Sequence, residues 1–172
     1  NKNHLINIVA ISNSVKNLFI DKFKVESKKI TVLPSGSSIR INQIPKISFN
    51  KRFKIGYFGS ISPSKGINTL IKLSKIDQEN DYYIYGGNKE QINKIKKRNI
   101  NKNLFLNESV PFAGLSKIML KMDILTIPYT KIIRSVGEVD EISKYTSPLK
   151  LFDYLAVGKI IISSDLKVLR EV

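Results

Sequence analysis

The chain has no cysteine and a single histidine, His4. The first absence excludes a disulfide framework and a thiolate zinc site, and the second excludes a metal centre built on histidines. A cytoplasmic setting is the default expectation for such a chain. No stretch approaches the run of about 18 apolar residues that a membrane-spanning helix needs. Nor does a basic-then-apolar leader precede a small-residue cleavage site. The expected protein is therefore soluble, or at most peripheral at the inner face of a membrane. Acidic residues are scarce as well, with 14 Asp and Glu against 29 Lys and Arg and a formal charge of +15. Such a balance ordinarily points to nucleic acid or an anionic membrane. Here Lys, Asn and Ile are spread through loops and helices alike, which reads as biased composition. The densest run, Lys89 to Lys102 with Lys94, Lys96, Lys97 and Arg98, is most simply the solvated face of one helix. No nucleic-acid partner is expected, and attraction to a membrane surface is a secondary expectation.

What is present is enough apolar content, 42% of 172 residues, for one domain or one and a fraction. The first residue is not Met, and Leu169 to Val172 read as the opening of a helix, so a piece of a longer protein is expected.

Apolar runs at 8–12 and 30–33 read as strands, with Ser12 or Ser14 capping a helix that carries Val15, Leu18, Phe19 and Phe23. Residues 37–51 show no sustained period and read as a linker. From Lys54 the alternation becomes regular. Strands are expected at 54–59, 82–86, 103–107, 123–127 and 159–163. Helices are expected near 66–77 (Ile67, Leu70, Ile71 and Ile76 inward), 89–98, 114–121 and from Ser147. Strand and helix units of this spacing require parallel strands joined by crossover helices, so the fold class is α/β, a doubly wound parallel sheet. Ligands of such sheets sit outside the carboxyl ends of the strands, so the loops after the strands hold the candidate site.

Ser147-Pro148-Leu149-Lys150-Leu151-Phe152-Asp153 reads as the first turns of a helix whose end holds a phosphate. Ser147 is a preferred N-cap, and Pro148 suits the first helical position. Leu149, Leu151, Phe152, Leu155 and Ala156 share one broad face, and Lys150, Asp153 and Tyr154 the opposite one. The positive helix end and Lys150 suit a diphosphate, with a carboxylate one turn deeper for a ribose. The same pattern also suits an ordinary capped amphipathic helix.

Gly59 to Lys65 is a glycine-bearing loop with neither the Walker nor the dinucleotide spacing, and Lys65 either offsets diphosphate charge or is a solvated lysine. Gly86-Gly87 suits close approach to a ligand or a plain tight turn. The loop from Tyr129 to Thr146 is long against the usual ~2–6 residues and carries Arg134, Glu138, Asp140, Glu141 and Lys144. It reads either as lining the site or as a mobile insertion.

With these pieces placed, the order of motifs resembles the group 1, GT-B-fold retaining glycosyltransferases. Val9-Ala10-Ile11-Ser12 with Lys29 to Gly36 resembles the exit from their N-terminal domain. Ile55 to Ser60 through Lys65-Gly66-Ile67 resembles the opening of their donor domain, and Ile84 to Gly87 and Asp123 to Tyr129 resemble later blocks. Ser147 to Lys159 is the most specific part. The resemblance implies that residues 1–45 end an N-terminal, acceptor-side domain plus linker, and that 46–172 form a Rossmann-like donor-binding domain truncated at its C-terminal end.

It further implies that Gly59, Ser60, Lys65, Ser147, Leu149 and Lys150 take the donor phosphates and Asp153 the ribose. Gly86, Gly87, Glu108, Ser109 and Val110 would lie beside the base. Two departures concern the family's Glu-x7-Glu motif: its first Glu falls at Tyr145, and its second is Asp153. Glu138, Asp140 or Glu141 would then substitute for the first. The usual arginine partner of the lysine falls at about Ser60.

The implied activity is transfer of a sugar from a UDP- or GDP-sugar to an acceptor glycan or lipid-linked glycan, with retention and in polysaccharide or glycan biosynthesis. No cofactor or metal is expected, and there is no Asp-x-Asp pair. The piece alone is expected to bind nucleotide without turnover. The alternatives are a GT-B-fold sugar-nucleotide epimerase and a non-catalytic basic α/β module docking on membrane or nucleic acid.

Overall fold

The computed structural model describes residues 4–42, 52–98, 101–135 and 140–172. A small parallel pair, β1 (Ile8–Ala10) and β2 (Ile30–Val32), brackets helix α1 (Asn13–Asp21). The main sheet holds β3 (Lys54–Phe58), β4 (Asp81–Tyr85), β5 (Leu104–Asn107), β6 (Ile124–Ile127) and β7 (Ile160–Ser163). Its crossovers contain α2 (Ile67–Ile76), α3 (Lys89–Lys96), α4 (Phe112–Met119) and α5 (Leu149–Val157). The strand order is β5-β4-β3-β6-β7, and every neighbouring pair is parallel. The chain thus winds outward from β3 to β5, then returns to the other side of β3, which is the doubly wound arrangement expected of the α/β class.

The period of two along each strand divides the core between the two faces of the sheet. Tyr57, Tyr82 and Ile84 face α2, where they bury Ile67, Leu70 and Ile71, and Ile95 of α3 packs alongside. Phe58, Leu125 and Ile127 face the other way, onto Met119 of α4 and Tyr154 and Val157 of α5. The small pair has a separate core of Ala10, Val25 and Ile30, closed by Val15, Phe19 and Ile20.

Several expectations are corrected. Phe23 lies beyond the end of α1 and is 44% exposed, with its ring against Phe19. Ile76 is 81% exposed, and the inward position it was expected to fill is taken by Ser74, which bonds the Ile71 carbonyl. The tail forms a short 3-10 turn, Lys167–Leu169, in place of an opening α-helix. Beyond that turn, the Glu171 carboxylate accepts hydrogen bonds from the Asn13 amide (3.0 Å) and the Ser14 hydroxyl (2.7 Å). An anion thus sits at the positive end of α1, while Ser12, one of the two expected caps, accepts from the Val15 amide.

The linker expected from residue 37 is packed at its start, since Ile39 rests on the main core. The expected domain boundary at 45 lies outside the described residues. Among the described residues no helix is long and apolar enough to cross a membrane, and no cluster of three His, Cys, Asp or Glu side chains suits a metal.

Candidate functional site

A cavity of about 540 Å³ opens at the carboxyl ends of β3, β4 and β5, beside the first turns of α5. Its position follows from the winding: the chain steps from β3 to β4 and β5 on one side and then returns to β6 on the other, so the loops after β3, β4 and β5 face α5, which follows β6. Two of the loops above the cavity meet at glycines. A Cβ on Gly86 would lie 1.8 Å from the Gly59 carbonyl oxygen, so two loop backbones meet where no side chain fits. Gly59 has φ +151° and donates its amide to the Tyr85 carbonyl. Tyr57 donates its hydroxyl to the Ser60 carbonyl at 2.9 Å, pinning the same loop.

The floor is aromatic and apolar. Phe58 and Tyr85 stack at 4.9 Å with rings 3° apart, and Leu115 and Met119 complete the wall. Asn88 and Gln91 at the start of α3 also line the cavity and satisfy each other in a capping box.

On the opposite side stands α5. Lys150 holds its ammonium 4.0 Å from the Tyr57 ring centroid and 5.1 Å from that of Tyr129. The Lys65 ammonium lies 4.8 Å from the same Tyr129 ring. Two cations therefore converge on one aromatic side chain. Burial, and then the neighbouring charge of Lys65, bring the Lys150 pKa down from 10.5 to about 7. The surrounding tyrosines cannot relieve it as anions, because burial pushes both the Tyr57 and Tyr129 hydroxyls up.

Of the expected site residues, Gly59, Ser60, Gly86, Gly87, Ser109, Val110, Lys150 and Asp153 line this cavity together. Lys65 stands just outside it, across Tyr129. Glu108 lines a separate shallow hollow with Lys89 and Lys96.

The α5 mouth differs from the expectation. Pro148, at φ −81° and ψ 57°, occupies the N-cap position in place of Ser147, so the helix starts one residue later. The Ser147 hydroxyl instead meets that of Ser35 at 3.0 Å. The Leu149 amide is taken by the Ser147 carbonyl, and those of Leu151 and Phe152 by the Pro148 carbonyl. The Lys150 amide is the one in this turn without an acceptor among the described residues.

The buried stripe of α5 is rotated from the expected one, with Leu151 packing on the main core. Tyr154 and Val157 are fully buried, whereas Leu149 and Leu155 are 56% and 53% exposed. The Tyr154 hydroxyl accepts a hydrogen bond from the Phe58 amide at 3.0 Å where β3 runs past the end of its pairing with β6. Tyr154→Phe leaves that amide without a partner, and the expected cost is about 1–3 kcal/mol, read as a lower urea midpoint with unchanged slope.

The long loop after β6 folds back on itself: the Ile142 amide donates to the Ile133 carbonyl and the Ser135 amide to the Asp140 carbonyl. Glu138 lies outside the described residues. Asp140 is exposed, and Glu141 faces a second cavity with Lys131, Lys144 and Tyr145. Neither acid is among the residues lining the first cavity.

Sequence reasoning missed Tyr57, Tyr85 and Tyr129 as parts of the site. Their only signal was position, at or just beyond the carboxyl ends of strands.

No family model matches the chain, and no curated protein does either. Solved structures do. HepE of Anabaena, in complex with UDP and glucose, aligns over 96% of this chain at TM-score 0.64 and 18% identity. WaaB, a lipopolysaccharide outer core galactosyltransferase in apo form, aligns over 94% at TM-score 0.65 and 16% identity. The catalytic domain of starch synthase IV from Arabidopsis thaliana, bound to ADP and acarbose, aligns over 96% at TM-score 0.62 and 11% identity. The fold is thus the Rossmann-like α/β architecture of GT-B glycosyltransferase domains. The chain spans less than half of each of these structures, 46%, 43% and 40% respectively.

Proposed function

We propose that this chain is the donor-binding portion of a glycosyltransferase that moves a sugar from a UDP- or GDP-linked donor to a glycan or lipid-linked acceptor, with retention at the anomeric carbon. The observation that carries the reading is the convergence of the Lys65 and Lys150 ammonium groups on Tyr129, beside a cavity that Asp153 lines. The binding of UDP by HepE supports a nucleoside diphosphate as the ligand.

As the bond from sugar to diphosphate breaks, negative charge builds on the leaving oxygens. In the proposed site the two ammonium groups and the amino end of α5 stabilise it in a largely water-excluded setting. They supply the compensation in place of a metal. Asp153 accepts hydrogen bonds from the ribose, and Gly86, Gly87, Ser109 and Val110 leave a flat slot for the base. In this reading the acceptor contacts lie outside these residues, so the chain binds nucleotide without turning over. We place the whole protein in glycan or polysaccharide biosynthesis at the cytoplasmic face of a membrane, where its charge of +15 favours anionic headgroups.

Calorimetric titration with UDP and GDP at moderate salt tests the reading. Saturable binding of one of them, weakened about tenfold or more in Lys65→Ala, is expected. Salt-sensitive binding of any polyanion, without nucleotide preference, would instead favour a basic docking module.

A further inference from the structure

The segment between the small sheet and the main one is fastened to α5 at two points. One is the Ser35 to Ser147 contact. The other is stronger: Ser37 donates its hydroxyl to Asp153 Oδ1 at 2.6 Å. The Ser37 hydroxyl is the donor in that bond, and its oxygen in turn accepts from the Ile39 amide at 3.0 Å. Ile39 in turn is anchored on the main core. Ser37 is thus held from behind, and its one proton points at the carboxylate. Asp153 lines the cavity, Ser37 is not among the residues lining it, and Asp153 Oδ2 has no hydrogen bond among the described residues.

We infer that Ser37 is the positioning residue for Asp153: it ties down one carboxylate oxygen so that the other faces the ribose hydroxyls of a bound nucleotide. The inference rests on the donor-site reading. An aspartate side chain has two free rotations, and without a tether the carboxylate samples orientations that bind no diol.

The test is a ligand pair. The chain and its variants are titrated with UDP and GDP, each beside its 2′-deoxy counterpart, while thermal midpoints are recorded. The unaltered chain is expected to prefer the ribose form of its nucleotide by about tenfold. Ser37→Ala is expected to lose most of that preference by weakening the ribose form alone, with the deoxy form and the thermal midpoint little changed. Ser37→Thr restores the preference, and Ser38→Ala, at the exposed next position, leaves it intact.

Equal weakening of both ligands in Ser37→Ala, or a preference that survives the change, overturns the inference while the donor site stands. If the unaltered chain binds neither nucleotide, or binds ribose and deoxyribose forms alike, the role given to Asp153 falls and the inference falls with it.

Discussion

Lys150→Ala is expected to weaken UDP binding about ten- to a hundredfold at pH 7, the loss of one charge-assisted contact of about 1.5–3 kcal/mol. The unaltered chain is expected to show a pH dependence that this variant lacks. Lys150 loses its proton near pH 7 because it is buried against Tyr57 and Tyr129 with Lys65 nearby. A diphosphate placed there favours the ammonium form, so binding takes up a proton. Between pH 7 and 9 UDP keeps a constant charge, its last phosphate proton being lost near pH ~6. Across that range its affinity therefore falls, by up to about tenfold per unit until the pKa of the complex is reached.

The sign for folding is the opposite. The unfolded chain holds the Lys150 proton up to its ordinary 10.5, whereas the folded chain releases it at about 7. The unfolded state binds more protons in between, so the ligand-free protein gains stability from this group as pH rises through that window. Titrations in buffers of different ionisation enthalpy count the proton directly. A flat affinity from pH 7 to 9, with no proton uptake, would falsify this account of Lys150.

Gly66→Ala is expected to be the most damaging single-methyl change to the fold. Gly66 sits at φ +76°, and a Cβ there would lie 1.7 Å from the Pro128 carbonyl oxygen. The left-handed backbone and the forced separation together cost about 3 kcal/mol. The contact joins the turn carrying Lys65 to the segment carrying Tyr129, which is also stitched by the Thr130 amide donating to the Ser64 carbonyl. Prising them apart removes Lys65 from the Tyr129 ring, so nucleotide affinity falls along with the urea midpoint. Gly36→Ala is the control: nothing lies within 4 Å of its Cβ, and its effect should stay within about 0.5 kcal/mol. Equal stability of the two variants would show that the close approach at Gly66 is not a constraint.

Much of the sheet was legible because strand runs and helix periods are local patterns. The stretch 82–86, Tyr-Tyr-Ile-Tyr-Gly, closely matches β4 at Asp81–Tyr85, and the helix expected from 89 begins at Lys89. Legibility failed where a polar contact over a long sequence separation reset a local preference. The apolar positions of α5 put Leu149, Leu151 and Leu155 on one face, yet Leu149 and Leu155 are exposed while Tyr154, from the opposite face, is buried with its hydroxyl on the Phe58 amide 96 residues away. Ser147 looked like a cap, but its neighbour Pro148 took that position and left Ser147 to Ser35, 112 residues away.

The sequence by itself determined the alternation of elements, and hence a parallel doubly wound sheet with its loops, glycines and lysines gathered at one edge. Those properties depend on residues within a turn or two of each other. Only the tertiary structure decided that Lys150 shares Tyr129 with Lys65 and lies against Tyr57, that Ser37 holds Asp153, and that Asp140 and Glu141 are not among the residues lining the cavity. Those contacts join segments far apart in the chain, and their energies depend on burial, which no local pattern encodes.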